Sequence, residues 1–455
     1  MRGIIAAQPG LAPVPIEHEH AAELDEVSAI LNEAPQVLAM VHADVKPPDV
    51  DAETGRPGMT AEQVLRAAVV KQMKGYSYEE LAFHIEDSTT MRRFCRYGVM
   101  DRTPSSSALQ RNVSRISPDT FEQVNLAVLG IAKQEGIESG RKVRVDCAVV
   151  ESNIHEPTDS SLLWDSVRTL ARLLTDAREF GVTFTDHRRR AKRRSLSIMN
   201  AKSPKQQTKH YRDLLKVTNK TIGYARSAIE LLSTVELSDP MASLPVFMLV
   251  VTLRDFAELA ERVVDQTTRR VIHGEKVPAS EKLVSIFEPH TDIIIKDRRA
   301  VRFGHKICVT GGASSMILDC VIEDGNPADS TLATRMIDRQ TDIYGRPPRQ
   351  AAFDGGFASK ANVHDIKERG VQDVAFHKRR GIKIHDMVKS TWVYRRLCRF
   401  RAGIEGTLSF LLRCFGLTRC TWKGLAHFKS YVWASVVSAN LLILARHRLA
   451  RATPA

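Results

Sequence analysis

The chain has 455 residues, enough for about three domains at ~150 residues each, and 66 Lys and Arg against 53 Asp and Glu give a formal net charge of +13. Charged residues at 26% and hydrophobic residues at 43% exclude a wholly disordered chain. Seven scattered cysteines, none spaced as CxxC, exclude a disulfide scaffold or a zinc ribbon and fit a reducing compartment.

Residues 1–56 are rich in Pro, Gly, Ala and acids and read as an N-terminal arm, with a helix near 21–32 and an irregular stretch at 47–58. The single early Arg and the apolar run broken by Gln8, Pro9 and Gly10 do not read as a signal peptide. From 57 to 135 the pattern is helical. Thr60 and Gln63 form a capping box, with Val64, Leu65, Ala68 and Val69 on one face and Gly75 as the stop. Ser77 and Glu80 open a second helix, and Ser88 opens a third that ends by Gly98. Thr103-Pro104 reads as a cap and first-turn proline for a helix over 105–116. That helix turns Leu109, Val113 and Ile116 inward and Ser106, Gln110, Arg111 and Arg115 outward. Short helices ending in a polar, basic one suit a helix-turn-helix-like DNA-binding domain, with Gln110, Arg111 and Arg115 as contacts. They equally suit an ordinary small helical bundle.

At Arg141 the texture changes: RKVRVDCAVV alternates and is β-branched, as a strand does. A long helical region follows, with leucine periodicity at Leu163, Val167, Leu170 and Leu174. Strands return at 303–309 and 316–323, then a helix over 327–343, a short strand at 350–353, a helix over 358–369 and a strand at 371–377. A helix runs from Val393 to about Arg413, and an apolar one covers roughly 425–446. Residues 430–445 are uncharged but carry Ser435, Ser438 and Asn440, and fall short of the ~20 apolar residues of a membrane span; a buried helix is expected. The order predicts an α/β domain over 140–424, interrupted by a helical insertion at about 155–300, and a C-terminal helix at 425–450. No membrane contact is expected, and the protein is read as intracellular.

Two basic blocks stand out. Residues 187–220 hold 12 Lys/Arg against Asp213 alone, and residues 378–423 hold 12 against Asp386 and Glu405. One such run is usually a solvated helix face; two point to phosphate contacts and a nucleic-acid partner. Three acids are also conspicuous. Asp146 lies inside a strand, where an unpaired charge is costly. Asp354 ends a strand before two glycines, and Glu405 is almost alone in the second basic block. Gathered together, such acids suit two-metal phosphodiester chemistry, in which two Mg²⁺ ions stabilise the attacking and leaving oxygens. Taken singly, Asp354 reads as a turn residue and Glu405 as the i−4 partner of Arg401.

These segments resemble bacterial insertion-sequence transposases of the DDE type, close to the ISNCY group. The resemblance spans about 60–446 and is carried by VRVDCAVVESNIHEPTDSSLLWDSVRTL at 143–170, FGHKICVTGGASSMILDCVIEDGNPADST at 303–331, RQAAFDGGFASKANV at 349–363 and VYRRLCRFRAGIEGTLSFLLRCFGLTRCTWKG at 393–424. It implies an RNase H-like catalytic core with Asp146, Asp354 and Glu405 as catalytic and metal-holding acids, and two Mg²⁺ ions for which Mn²⁺ substitutes. It implies double-stranded DNA partners: transposon ends are bound at terminal inverted repeats and cut, and the freed 3′-OH is joined to target DNA. A homodimer or larger assembly on DNA, in the bacterial cytoplasm at the nucleoid, goes with that activity. Relatives carry Tyr-x2-Arg-x3-Glu-x6-Lys around the glutamate; here the Arg is Arg401, but Cys398 stands at the Tyr position and Leu412 at the Lys position, beside Arg413. Arg401 and Arg413 are therefore expected DNA contacts, with Arg188, Arg189, Arg190, Arg193 and Arg194 of the first basic block tracking phosphates. Two alternatives stay open: a catalytically silent, transposase-derived DNA-binding protein, and an RNase H-like nuclease acting on RNA or branched DNA. His155, Asp159 and His305 lie near these segments and read as structural.

Overall fold

The computed structural model describes residues 3–4, 16–46, 58–234, 240–296 and 300–452. Most of the irregular stretch expected at 47–58 thus lies outside the described residues. The chain divides into two compact units: residues 1–151 with 305–455, and residues 152–304.

In the first unit, seven helices precede the sheet among the described residues: α1 (Glu19–Asn32), α2 (Gln36–Val45), α3 (Ala61–Lys74), α4 (Tyr78–Asp87), α5 (Thr89–Phe94), α6 (Ser106–Val113) and α7 (Pro118–Gln134). Local chemistry explains their ends. Both capping boxes form, at Thr60 with Gln63 and at Ser77 with Glu80, and Gly75 stops α3 in the left-handed region at φ 68°. The cap expected at Thr103-Pro104 is corrected: Ser105 caps α6, accepting from the Ala108 N–H. The cap followed by a first-turn proline occurs one helix later, at Ser117 and Pro118 of α7. Residues 19–45 are also not an arm. Leu24, Val27, Ile30, Val37, Val41 and Val45 are buried in the same apolar core as α3, α7 and the sheet.

Strand β1 (Lys142–Glu151) leads out of this helical region. The chain then forms the second unit with α8 (Asp159–Asp176), α9 (Arg188–Met199), α10 (Pro204–Ser233), α11 (Pro240–Thr267) and β2 (Asp292–Lys296). Its helices close over two apolar clusters, one around Leu170, Leu174, Ala225 and Leu253 and one around Leu163, Val167, Leu214 and Val263. Strand β3 (Ala300–Gly311) begins there, antiparallel to β2, and its second half returns to the first unit.

The first unit is completed by β4 (Ile317–Ile322), α12 (Ala333–Tyr344), β5 (Gln350–Phe353), α13 (Lys360–Glu368), β6 (Asp373–Phe376), α14 (Ile384–Met387), α15 (Thr391–Cys414) and α16 (Leu425–Ala452). The strand order is β2-β3-β1-β5-β6, with β4 also on β3. β4 runs antiparallel to β3, whereas β5 and β6 run parallel to β1, joined through helices as parallel strands require. Among the described residues, α16 has the length and apolar character of a membrane span, but 89% of its apolar window is buried, against α1, α3, α7 and β4. Its buried serines and asparagine are hydrogen-bonded. Ser438 donates to the Val69 and Ala434 carbonyls, Ser435 to those of Phe415 and Tyr431, and Asn440 grips both backbone groups of Ile317 at the edge of β4.

Candidate active site

Register brings the first two acids together. β1 and β5 pair in parallel with Val145 opposite Phe353, so Asp146 and Asp354 are each the next residue on neighbouring strands, about 4.8 Å apart across the ladder. Asp354 is the first residue beyond β5 and keeps extended backbone angles, and its follower Gly355 leaves room for Lys378: a Cβ there would stand 2.6 Å from the Lys378 Cβ. The third acid comes from α15, which packs against β1, β5 and β6.

Arg144 fixes that helix. Side chains two apart on a strand share a face, so Arg144 and Asp146 point the same way. The buried Arg144 guanidinium donates to the Phe400 carbonyl, to Thr407 Oγ1 and to Ser315 Oγ, each at 3.2 Å. It crosses α15 at Gly403, where a Cβ would come within 2.0 Å of Arg144 Nη1. Burial holds its pKa below the usual arginine value. Tyr394, one turn before Cys398, donates to the Phe376 carbonyl at 2.9 Å and ties the start of α15 to β6. Burial pushes its phenol up to about 12, so the hydroxyl stays a donor.

Asp146, Asp354 and Glu405 meet on one guanidinium. Arg401 Nη2 lies 3.1 Å from Asp146 Oδ2 and 2.9 Å from Asp354 Oδ1, and Nη1 lies 2.8 Å from Glu405 Oε1. The Arg401 side chain is 9% exposed, Asp146 14%, Asp354 36% and Glu405 65%. Asp146 Oδ1 also accepts from the Cys147 N–H at 2.8 Å. Three carboxylates from three elements thus converge on a single positive charge. Such a set of hard oxygens, partly open to solvent, fits Mg²⁺, which takes few protein carboxylates and leaves positions for water and substrate phosphate oxygens. The role expected of Arg401 changes accordingly: its guanidinium faces the carboxylates and is not an open phosphate contact.

The other expected DNA contacts are placed as follows. Gln110, Arg111, Arg115 and Arg413 are exposed in the first unit. Arg115 donates to the Val45 carbonyl. In the second unit, α9 carries the first half of the first basic block and α10 most of the rest, and acids neutralise part of it. Arg188 pairs with Asp186 at 2.7 Å, and Arg190 and Arg194 share Asp213. Arg189 and Arg193 are exposed and have no carboxylate partner among the described residues. His155 lies by Asp165 and Asp159 is paired with Arg270, while His305 is buried with its ring edge on Phe428. Sequence reasoning missed Arg144 as the residue that positions α15. The available signal was a second charge on the same strand face as Asp146.

Two family models match the chain. A transposase domain (DUF772) matches residues 14–115, covering α1 to α6, and a transposase DDE domain matches residues 262–441, covering Asp354, Arg401 and Glu405. Asp146 lies between the two matches, so its place beside the other acids rests on the sheet register. No curated protein and no solved structure matches the chain. Together the two models cover more than half of the residues, and the DDE family implies an RNase H-like fold, a divalent metal and a DNA substrate. The chain belongs to the insertion-sequence DDE transposases, enzymes of metal-dependent DNA cleavage and transfer.

Proposed function

We propose that this transposase, of the ISNCY group, binds the terminal inverted repeats of its element, hydrolyses the phosphodiester at each end and joins the freed 3′-OH to target DNA. Asp146, Asp354 and Glu405 would hold two Mg²⁺ ions, or Mn²⁺ in their place, which supply Lewis-acid stabilisation of the attacking and leaving oxygens. Support comes chiefly from the convergence of the three carboxylates on Arg401. Asp146 and Asp354 sit on adjacent parallel strands and suit a shared position, and Glu405 reaches in from the solvent side. Exposed Arg189 and Arg193 on α9, and Gln110, Arg111 and Arg413 in the first unit, would carry phosphate contacts. A homodimer or larger assembly would hold two ends together.

The test is a labelled element-end duplex incubated with the purified protein and Mg²⁺. Cleavage at the element boundary is expected, lost in Asp146→Asn and Glu405→Gln while DNA binding persists. Cleavage surviving both substitutions would place the active site elsewhere. One observation favours a second reading, that of a silent DNA-binding descendant: a guanidinium already occupies the centre of the carboxylate set. Binding without cleavage in either Mg²⁺ or Mn²⁺ would establish that reading.

A further inference from the structure

A cavity of about 1120 Å³ opens in the first unit between the end of α3, the start of α4, α6 and the turn joining α15 to α16. That is slightly above the ~300–1,000 Å³ of ordinary small-molecule sites. Its lining is basic and aromatic: Lys71, Arg413 and Lys423 with Tyr76, Tyr78 and Trp422. Glu80, the carboxylate among the lining residues, is committed to the Ser77 capping box.

Lys71 is the unusual member. It is 5% exposed, yet among the described residues no carboxylate forms an ion pair with it, Glu80 attracting it only from a distance; its ammonium sits 4.8 Å from the centre of the Tyr78 ring. Burial lowers its pKa to about 8. A buried, unpaired ammonium is costly, and an anion in the cavity would repay that cost. Three buried polar atoms in the lining have no hydrogen-bond partner among the described residues: Gln72 Nε2, the Tyr78 hydroxyl and Trp422 Nε1. Gln110, one of the residues read from the sequence as a DNA contact, lines the same space. Arg413 lies two turns beyond Glu405, about 12 Å along α15.

We propose that this cavity binds a nucleotide with an unpaired base, its phosphate held by Lys71, Arg413 and Lys423 and its base stacked on the aromatic wall. Cation, ring and unpaired polar groups together select for this chemistry: phosphate alone leaves the amide, phenol and indole groups unpaired, and a paired base cannot present its face. Two sources offer the same ligand, a free nucleotide and a nucleotide at an unpaired position of a DNA strand. The proposal rests on the reading of the chain as one that acts on DNA. Its test is a binding measurement in EDTA, so it succeeds or fails independently of cleavage at the carboxylates.

The full-length protein is titrated with dAMP, with inorganic phosphate, with a blunt duplex and with the same duplex bearing a three-nucleotide overhang that contains 2-aminopurine. If a strand is the source, the overhang duplex binds about tenfold tighter than the blunt one, with quenched 2-aminopurine fluorescence. If a free nucleotide is the source, dAMP saturates the protein and the two duplexes bind alike. In either case the affinity is lost in Lys71→Met and weakened in Trp422→Phe. The double variant Arg413→Ala, Lys423→Ala, altered only at exposed positions, gives the same loss without a folding defect. Phosphate binding as tightly as dAMP would overturn the proposal. So would an overhang preference unchanged in Lys71→Met and in the surface double variant, or no binding by either nucleotide source.

Discussion

Replacing Arg401 by alanine should make the protein less stable without metal and more responsive to metal. The substitution removes the one cation that the three carboxylates share. The largest loss is the contact to Asp146, whose side chain is 14% exposed; a charged hydrogen bond of this kind contributes about 1.5–3 kcal/mol. Asp354 is 36% exposed and Glu405 65%, so solvent screening reduces those contacts to about 0.5 kcal/mol each. The total is about 2.5–4 kcal/mol, or roughly 4–6 °C in Tm for a cooperative unit of about 300 residues. On the proposed assignment of these acids as metal holders, Mg²⁺ would compete with the guanidinium for the same oxygens. In Arg401→Ala the metal no longer has to displace a charge, so saturating Mg²⁺ should raise Tm more in the variant than in the wild type. Thermal denaturation in EDTA and in millimolar Mg²⁺ measures both effects. An equal Tm for variant and wild type in EDTA would mean that Arg401 is not held by the acids. An equal Mg²⁺ shift in both would mean that metal binds elsewhere.

Other expected outcomes follow from neighbouring geometry. Lys71 has a pKa of about 8 in the fold against 10.5 for the free side chain; between these values the unfolded chain binds more protons, so stability rises with pH by up to about 1.4 kcal/mol per unit. Denaturant unfolding from pH 8 to 10 should show this rise in the wild type relative to Lys71→Met; parallel curves would refute it. Gly403→Ala drives a Cβ into Arg144 and should reduce end cleavage more than DNA binding, because α15 shifts against β1; comparing cleavage rates with Kd in a gel shift checks this. Asn440→Ala leaves both Ile317 backbone groups buried without partners and should cost about 2–4 kcal/mol in denaturant unfolding, with no specific loss of metal response.

Local chemistry was legible in the sequence, and long-range register was not. The capping boxes at Thr60 and Ser77 form because each needs only residues three apart. The strand at 350–353 matches β5 residue for residue. Four elements have no counterpart in the sequence reading: α2, α7, β2 and the short α14. α7 carried the signal in Ser117-Pro118, but the same pairing of cap and proline at Thr103-Pro104 drew the boundary too early. β2 is a five-residue strand, Asp292–Lys296, whose pairing with β3 no local pattern announces. The arm expected at 1–56 departs from the fold because α1 buries its apolar face against α16, from the far end of the chain, and α2 packs on α3 and α7, partners that composition does not reveal.

The same distinction explains the carboxylates. Each acid alone had an ordinary explanation, and for Glu405 that explanation is literally true, since it pairs with Arg401 one turn back. What makes the group more than three ordinary acids is the pairing of Val145 with Phe353, which aligns Asp146 with Asp354, and the passage of Arg144 across Gly403, which sets the height of Glu405. A one-residue slip of β5 against β1 would turn Asp354 to the other face of the sheet. The site therefore depends as much on Arg144 and Gly403, which carry no chemistry of their own, as on the acids. Assembled in this way, it leaves three negative charges facing one another, an arrangement that is stable only with a cation between them. Arg401 supplies that cation in the fold, and it is the charge that a metal at the proposed site would displace.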